Sequence, residues 1–126
     1  EIVFDGGSLG NPGQGYGSFE LRNPTGKTLQ EQLTFGDQVT NNQAEYLTLI
    51  AALERLLDLL GNRAPRVRLI VRGDSQLVIR QLQGAWKVRK PDLKSLHARV
   101  VDLLRQFGSF ELVWQPRRES VKVLGH

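Results

Sequence analysis

Three acids in this chain stand where carboxylates do chemistry together: Asp5 in "EIVFDGG", Glu45 in "TNNQAEY" and Asp74 in "VRGDSQ". Each also has an ordinary role open to it. Asp5 before glycine suits a turn, Glu45 suits the positive end of a helix dipole, and Asp74 suits a helix cap ahead of Ser75. Jointly these readings weaken, because clustered carboxylates repel and need cations to stay ionised together. In a chain without cysteine, an all-oxygen donor set selects Mg2+ or Mn2+ over zinc. The internal histidine, His97, borders the apolar face of a late helix and is expected to pack rather than ligate.

Such a cluster needs elements that bring residues 5, 45 and 74 to one place. Ile2–Asp5 reads as a short buried strand. Tyr16–Arg22 reads as a half-buried one, with Gly17, Phe19 and Leu21 on one side. "RNPTGK" is a hairpin turn, and Thr28–Phe35 returns with Leu29, Leu33 and Phe35 on a common face. Tyr46, Leu49, Ile50, Leu53, Leu56, Leu57 and Leu60 follow the spacing of one buried helical face, capped by Thr40 or Asn41 and ended by Gly61. Val67–Arg72 is a strand and "SQLVIRQLQ" a short helix. Pro91 opens another helix with its stripe from Leu93 to Phe107, and Phe110–Gln115 is the last strand. The order βββαβααβ predicts an α/β fold on a mixed sheet.

Direction then matters. If the first strand points up, the helix from Asn41 starts at the top and Val67–Arg72 climbs parallel to the first strand. Asp5, Glu45 and Asp74 are therefore expected at the carboxyl edge of the sheet, where α/β folds build sites.

The bulk numbers narrow the class. At 126 residues, 40% hydrophobic and 24% charged, one globular domain spanning 1–126 is expected. No apolar run reaches the roughly 20 residues of a membrane span. No leader precedes the first strand, so a cytoplasmic location is expected. The net charge is +4, with cations crowded at Lys87, Arg89, Lys90 and Lys94 and again at Arg117, Arg118 and Lys122. A polyanionic partner suits that balance, although either cluster alone reads as a solvated surface. "GNPGQGYG" lacks G-x-G-x-x-G, and a strand follows it where a helix should open onto phosphates, so no dinucleotide or other organic cofactor is expected.

In order along the chain, "DGGSLGNPG", "TNNQAEYLTLIAAL", "RGDSQLVIRQLQG" and "AWKVRKPDL" resemble the signature segments of type 1 ribonuclease H. The match covers nearly the whole chain. It implies the ribonuclease-H-like fold, a five-stranded sheet in which β1, β2 and β3 form an antiparallel meander and β4 and β5 run parallel to β1. It implies metal-dependent endonucleolytic cleavage of the RNA strand of RNA–DNA hybrids, leaving a 5′-phosphate and a 3′-hydroxyl. Asp5, Glu45 and Asp74 would be the metal ligands, holding two ions about 4 Å apart across the scissile phosphate.

The same resemblance implies a hybrid-binding surface on a monomer. Asn11, Asn41, Asn42 and Gln76 match positions that contact the minor groove, where the 2′-hydroxyl separates RNA from DNA. Trp86 would pack on a deoxyribose, with Lys87, Arg89 and Lys90 on phosphates; a tryptophan covering core is the competing role. Gly6 and Gly7 would let the nucleic-acid backbone come close to Asp5.

The C-terminus departs from the family. Type 1 ribonucleases H carry a fourth acid on a C-terminal helix, and "WQPRRESVKVLGH" aligned on Pro116-Arg117 puts Ser120 at the family's asparagine and Leu124 at its aspartate. The family's loop histidine has no counterpart before Phe110. Glu119 is a candidate substitute, several residues early, and the C-terminal helix is expected to be largely absent. Glu119 completes the site, or three ligands suffice, or the domain binds hybrids without cutting them.

Overall fold

A computed structural model describes residues 1–125, so His126 lies outside the described residues. The strands are β1 (Ile2–Leu9), β2 (Gly13–Arg22), β3 (Thr28–Val39), β4 (Arg68–Gly73) and β5 (Ser109–Trp114). The helices are α1 (Asn41–Leu60), α2 (Gln76–Leu82), α3 (Pro91–Leu104) and α4 (Arg117–Leu124), with a short 3-10 segment at Gly61–Arg66. One five-stranded sheet has the order β3-β2-β1-β4-β5. β1 is antiparallel to β2 and parallel to β4, which is parallel to β5. This is the mixed sheet expected from the element order.

The amphipathic stripe of α1 lies on β1 and β2 and also packs against α3. Tyr46, Leu49 and Leu53 are wholly buried with Phe4, Phe19, Leu69 and Val100. A second line on the same helix, Ala44, Thr48 and Ala52, is equally buried. Its small side chains allow close approach to the sheet: a Cβ on Gly17 would stand 1.8 Å from Thr48 Oγ1, and one on Gly6 would stand 2.6 Å from the Ala44 carbonyl oxygen.

Three expectations are corrected. The C-terminal helix is present as α4 rather than largely absent, although it is only 8 residues long. It lies against β1 and β2, and Gln30 Nε2 donates to the Val123 carbonyl at 2.8 Å. In consequence β2 is not half-buried: Ser18 and Glu20 are each only 5% exposed on the side where solvent was expected. The first strand is also longer than expected. It continues past Asp5 to Leu9, because Gly6 to Leu9 keep pairing with β2.

Candidate metal and nucleic-acid site

The β1–β4 ladder places two of the acids. Its last pair is Phe4 with Gly73, so Asp5 and Asp74 are the next residues on two parallel neighbours. They face each other where the ladder ends. Glu45 is brought in from above by α1, whose start is set by a capping box. Thr40 Oγ1 accepts from Gln43 N–H at 3.1 Å, and Gln43 Oε1 accepts from Thr40 N–H at 2.9 Å. That cap puts Glu45 in the second turn rather than the first, which removes the dipole explanation for it. Asp74 is not a cap either, since Ser75 caps α2.

One ligand oxygen from each of Asp5, Glu45 and Asp74 lies within 4.8 Å of the others. Asp5 is 4% and Glu45 6% exposed. Glu45 Oε1 accepts from Gly6 N–H at 3.1 Å, while Glu45 Oε2 and Asp74 Oδ2 are buried without a hydrogen-bond partner among the described residues. Burial is the main cause that raises the Glu45 pKa well above the usual carboxylate range, followed by the charge of Asp5, with the Gly6 N–H opposing. Burial and then Asp5 raise Asp74 to about 6, and the positive charge of Arg117 opposes that rise. Buried oxygens with nothing to accept from, in a donor set of oxygen alone, fit a hard divalent cation.

These shifts set a pH dependence. Folded Asp74 keeps its proton to about pH 6, whereas the ordinary value is 3.8. Between those values the native state binds more protons than the unfolded chain, so metal-free stability is full below the lower value and is lost as pH rises through the upper. Glu45 shifts in the same direction. Melting in chelator from roughly pH 4 to 7 should show this loss relative to Asp74→Asn. A wild type that gains stability against that variant over the same range contradicts the electrostatic account.

Gly6 and Gly7 are corrected as well. Added Cβ atoms would meet Ala44 and Tyr16 of the protein itself, at 2.6 Å and 2.7 Å. The glycines therefore admit α1 and the Tyr16 side chain. Gly6→Ala is expected to lower stability by about 1–3 kcal/mol through overpacking. It should also weaken Mn2+ binding, because the Ala44–Glu45 peptide must shift. Unchanged melting and metal binding would mean the helix does not approach this closely.

Glu119 is not brought to the cluster. As the third residue of α4 its carboxylate turns to Lys122 Nζ at 3.4 Å and Arg118 Nε at 4.0 Å. It borders a hollow shared with Glu1, Glu20 and Arg72. Among the described residues the metal-capable group contains Asp5, Glu45 and Asp74 alone. Ser120 is buried and accepts from Gln115 Nε2 at 3.1 Å, and Leu124 is 7% exposed.

The amides divide. Asn11 Oδ1 accepts from Asn41 N–H at 3.0 Å, and Asn41 Oδ1 accepts from Ser8 N–H at 2.9 Å, so both tie the β1–β2 turn to the head of α1. Asn42 is half-buried and Gln76 exposed. Trp86 is 46% exposed, which does not suit the competing role of a ring covering core. Lys87, Arg89 and Lys90 are exposed beside it, with no ion pair among the described residues. His97 packs edge-on against Tyr46, with ring centroids 6.3 Å apart. Arg117 is a residue that motif reading left in a surface cluster. The bond from Gln115 N–H to the Gly73 carbonyl, 2.9 Å, brings its segment beside Asp74, and the Pro116-Arg117 pair was the only signal for it.

Comparison with known proteins agrees with this arrangement. The model of the family described as "Reverse transcriptase-like" matches residues 3–123. A ribonuclease HI of Halobacterium salinarum is 40% identical over 90% of this chain and 55% of its own length. The bifunctional protein Rv2228c of Mycobacterium tuberculosis is 40% identical over 94% of this chain and 32% of its own. The chain thus spans about a third to a half of these relatives. Among solved structures, RNase H1 of H. salinarum NRC-1 superposes with a TM-score of 0.86 at 39% identity, covering 98% of this chain and 91% of that one. LC11-RNase H1 in complex with RNA/DNA hybrid gives 0.87 at 34%, covering 96% and 88%. With the sheet order, the three converging carboxylates and these matches together, the chain belongs to the type 1 ribonuclease H family, within the reverse transcriptase-like group.

Proposed function

We propose that this domain hydrolyses the RNA strand of RNA–DNA hybrids with divalent cations, Mg2+ or Mn2+, held by Asp5, Glu45 and Asp74. The carrying observation is the carboxylate triad, with Asp5 and Glu45 buried and Asp74 half-buried, and its Glu45 and Asp74 oxygens unpartnered among the described residues. When bound, the cations supply an activated water and charge stabilisation at the scissile phosphate, and a two-ion site suits that chemistry. The chain's own part is to hold the carboxylates together at the end of the β1–β4 ladder, with Asp5 and Glu45 buried so that each charge acts strongly. Arg117 adds a positive charge at the Asp74 side. Asn11, Asn41, Asn42 and Gln76 offer amides toward the minor groove, with Trp86, Lys87, Arg89 and Lys90 on the DNA strand. The domain works as a cytoplasmic monomer in this reading. No helix of the described residues is long and apolar enough to cross a membrane.

The test is cleavage of a labelled hybrid beside matched DNA and RNA duplexes, with Mg2+ and Mn2+ titrated separately. Leu124, buried where the family aspartate aligns, favours a second reading in which the domain binds hybrids but does not cut them. Tight binding with no cleavage in either metal selects that reading. In both, phosphate contacts by three basic side chains should weaken hybrid binding on the order of tenfold to a hundredfold between about 50 and 200 mM salt. Trp86→Ala should raise KM and leave kcat nearly unchanged. A flat salt response removes the basic segment from the interface.

A further inference from the structure

The end of the molecule opposite the carboxylates carries a feature that hybrid cleavage does not use. From Glu45 to Leu59, α1 descends roughly 21 Å of helix axis. There the β2–β3 hairpin, the last turns of α1, the 3-10 segment and the start of β4 surround an open hollow of about 900 Å3. Leu29, Leu56, Leu59, Leu60 and Ile70 line it. Leu59 is 47% exposed and the other four are half-buried, so the hollow is an unfinished edge of the core.

Its rim is basic. Arg22, Lys27, Arg63, Arg66 and Arg68 border it, and Glu1 is the one acid among the lining residues. Arg22 is paired with Glu20, and Arg63 donates to the Leu59 and Leu60 carbonyls. Arg68 comes only within 3.9 Å of Glu111. Lys27 and Arg66 make no ion pair among the described residues, and both are exposed.

The occupant must satisfy both halves of this surface. A duplex backbone supplies anions but no apolar side chains for the leucines. A second copy of the chain would set one basic rim against another across a two-fold interface. An acidic segment with interleaved apolar side chains supplies both. We infer that this end docks such a segment of a partner protein, its apolar side chains on Leu56, Leu59, Leu60 and Ile70 and its carboxylates against Lys27 and Arg66. The inference stands whether or not the domain cuts hybrids.

Fluorescence anisotropy of the whole domain tests it, with a labelled peptide that interleaves aspartate with leucine and phenylalanine. Two control peptides replace every aspartate by asparagine or every apolar residue by serine. The acidic, apolar peptide should bind, and each control should bind at least about tenfold more weakly. Lys27→Glu with Arg66→Glu, and separately Leu59→Ser, should each weaken the parent peptide by at least about tenfold. These changes are on exposed side chains, and hybrid binding should be unaltered. Equal binding of the asparagine peptide, or binding undiminished in the variants, overturns the inference. So does displacement of the peptide by hybrid, which assigns the hollow to nucleic acid. Concentration-dependent dimerisation abolished by Leu59→Ser assigns it to a second copy and equally overturns it.

Discussion

Asp5→Asn is expected to lower Mg2+- or Mn2+-dependent hybrid cleavage by about 10³-fold or more, on the scale that lost transition-state charge stabilisation commands. Hybrid affinity should stay within about twofold, since the phosphate contacts proposed for Lys87, Arg89 and Lys90 lie elsewhere on the surface. The variant keeps the shape of the side chain and removes its charge. Asp5 sits at the end of the β1–β4 ladder and raises the pKa of both Glu45 and Asp74. In the proposed site its charge would draw cations, and it is also what makes the metal-free cluster unfavourable. A second readout follows from that opposition. In chelator, Asp5→Asn should melt at a higher temperature than the wild type, because one of three mutually repelling carboxylates has gone. A variant that still cuts, or one that melts lower without metal, would show that Asp5 serves the fold rather than the cation. Asp74→Asn should repeat the loss of cleavage.

Leu124→Asp has the opposite sign and is the second large effect. If Leu124 holds the place of the family's fourth acid, an aspartate there should tighten metal binding and raise the rate at subsaturating metal by about tenfold to a hundredfold. Leu124 is 7% exposed in the last turn of α4, just before the Gly125 cap. An aspartate buried without a cation costs about 1–3 kcal/mol or more in stability. The variant should therefore melt lower than the wild type in chelator and recover more on adding Mn2+. That crossing separates a new ligand from simple damage, which metal would not repair. If neither affinity nor rate rises, the register drawn from Pro116-Arg117 is wrong, and α4 aims Leu124 away from the cluster.

Much of the acidic end was readable from local pattern. The 3–4 spacing from Tyr46 to Leu60 specifies an amphipathic helix wherever it packs. A strand–helix–strand crossover must return parallel to β1, so Asp5 and Asp74 had to meet at one edge of the sheet. The departures came from contacts between residues far apart in the chain. Gly6 reads as an approach residue and Gly17 as one position on the inner side of a strand, until Ala44 and Thr48 are laid over them. Ser18 and Glu20 alternate like a solvated face, and α4 covers that face.

Residue order alone determined the sheet, the helices α1 to α3 and the convergence of Asp5, Glu45 and Asp74, because periodicity and crossover handedness act along the chain. Tertiary structure alone decided that Glu119 turns to Lys122, that Trp86 lies open beside three cations unpaired among the described residues, and that a basic-rimmed apolar hollow forms at the far end. A carboxylate on a short helix can point to either side of it. Which side it takes depends on where the helix docks, and that depends on every surface it meets at once.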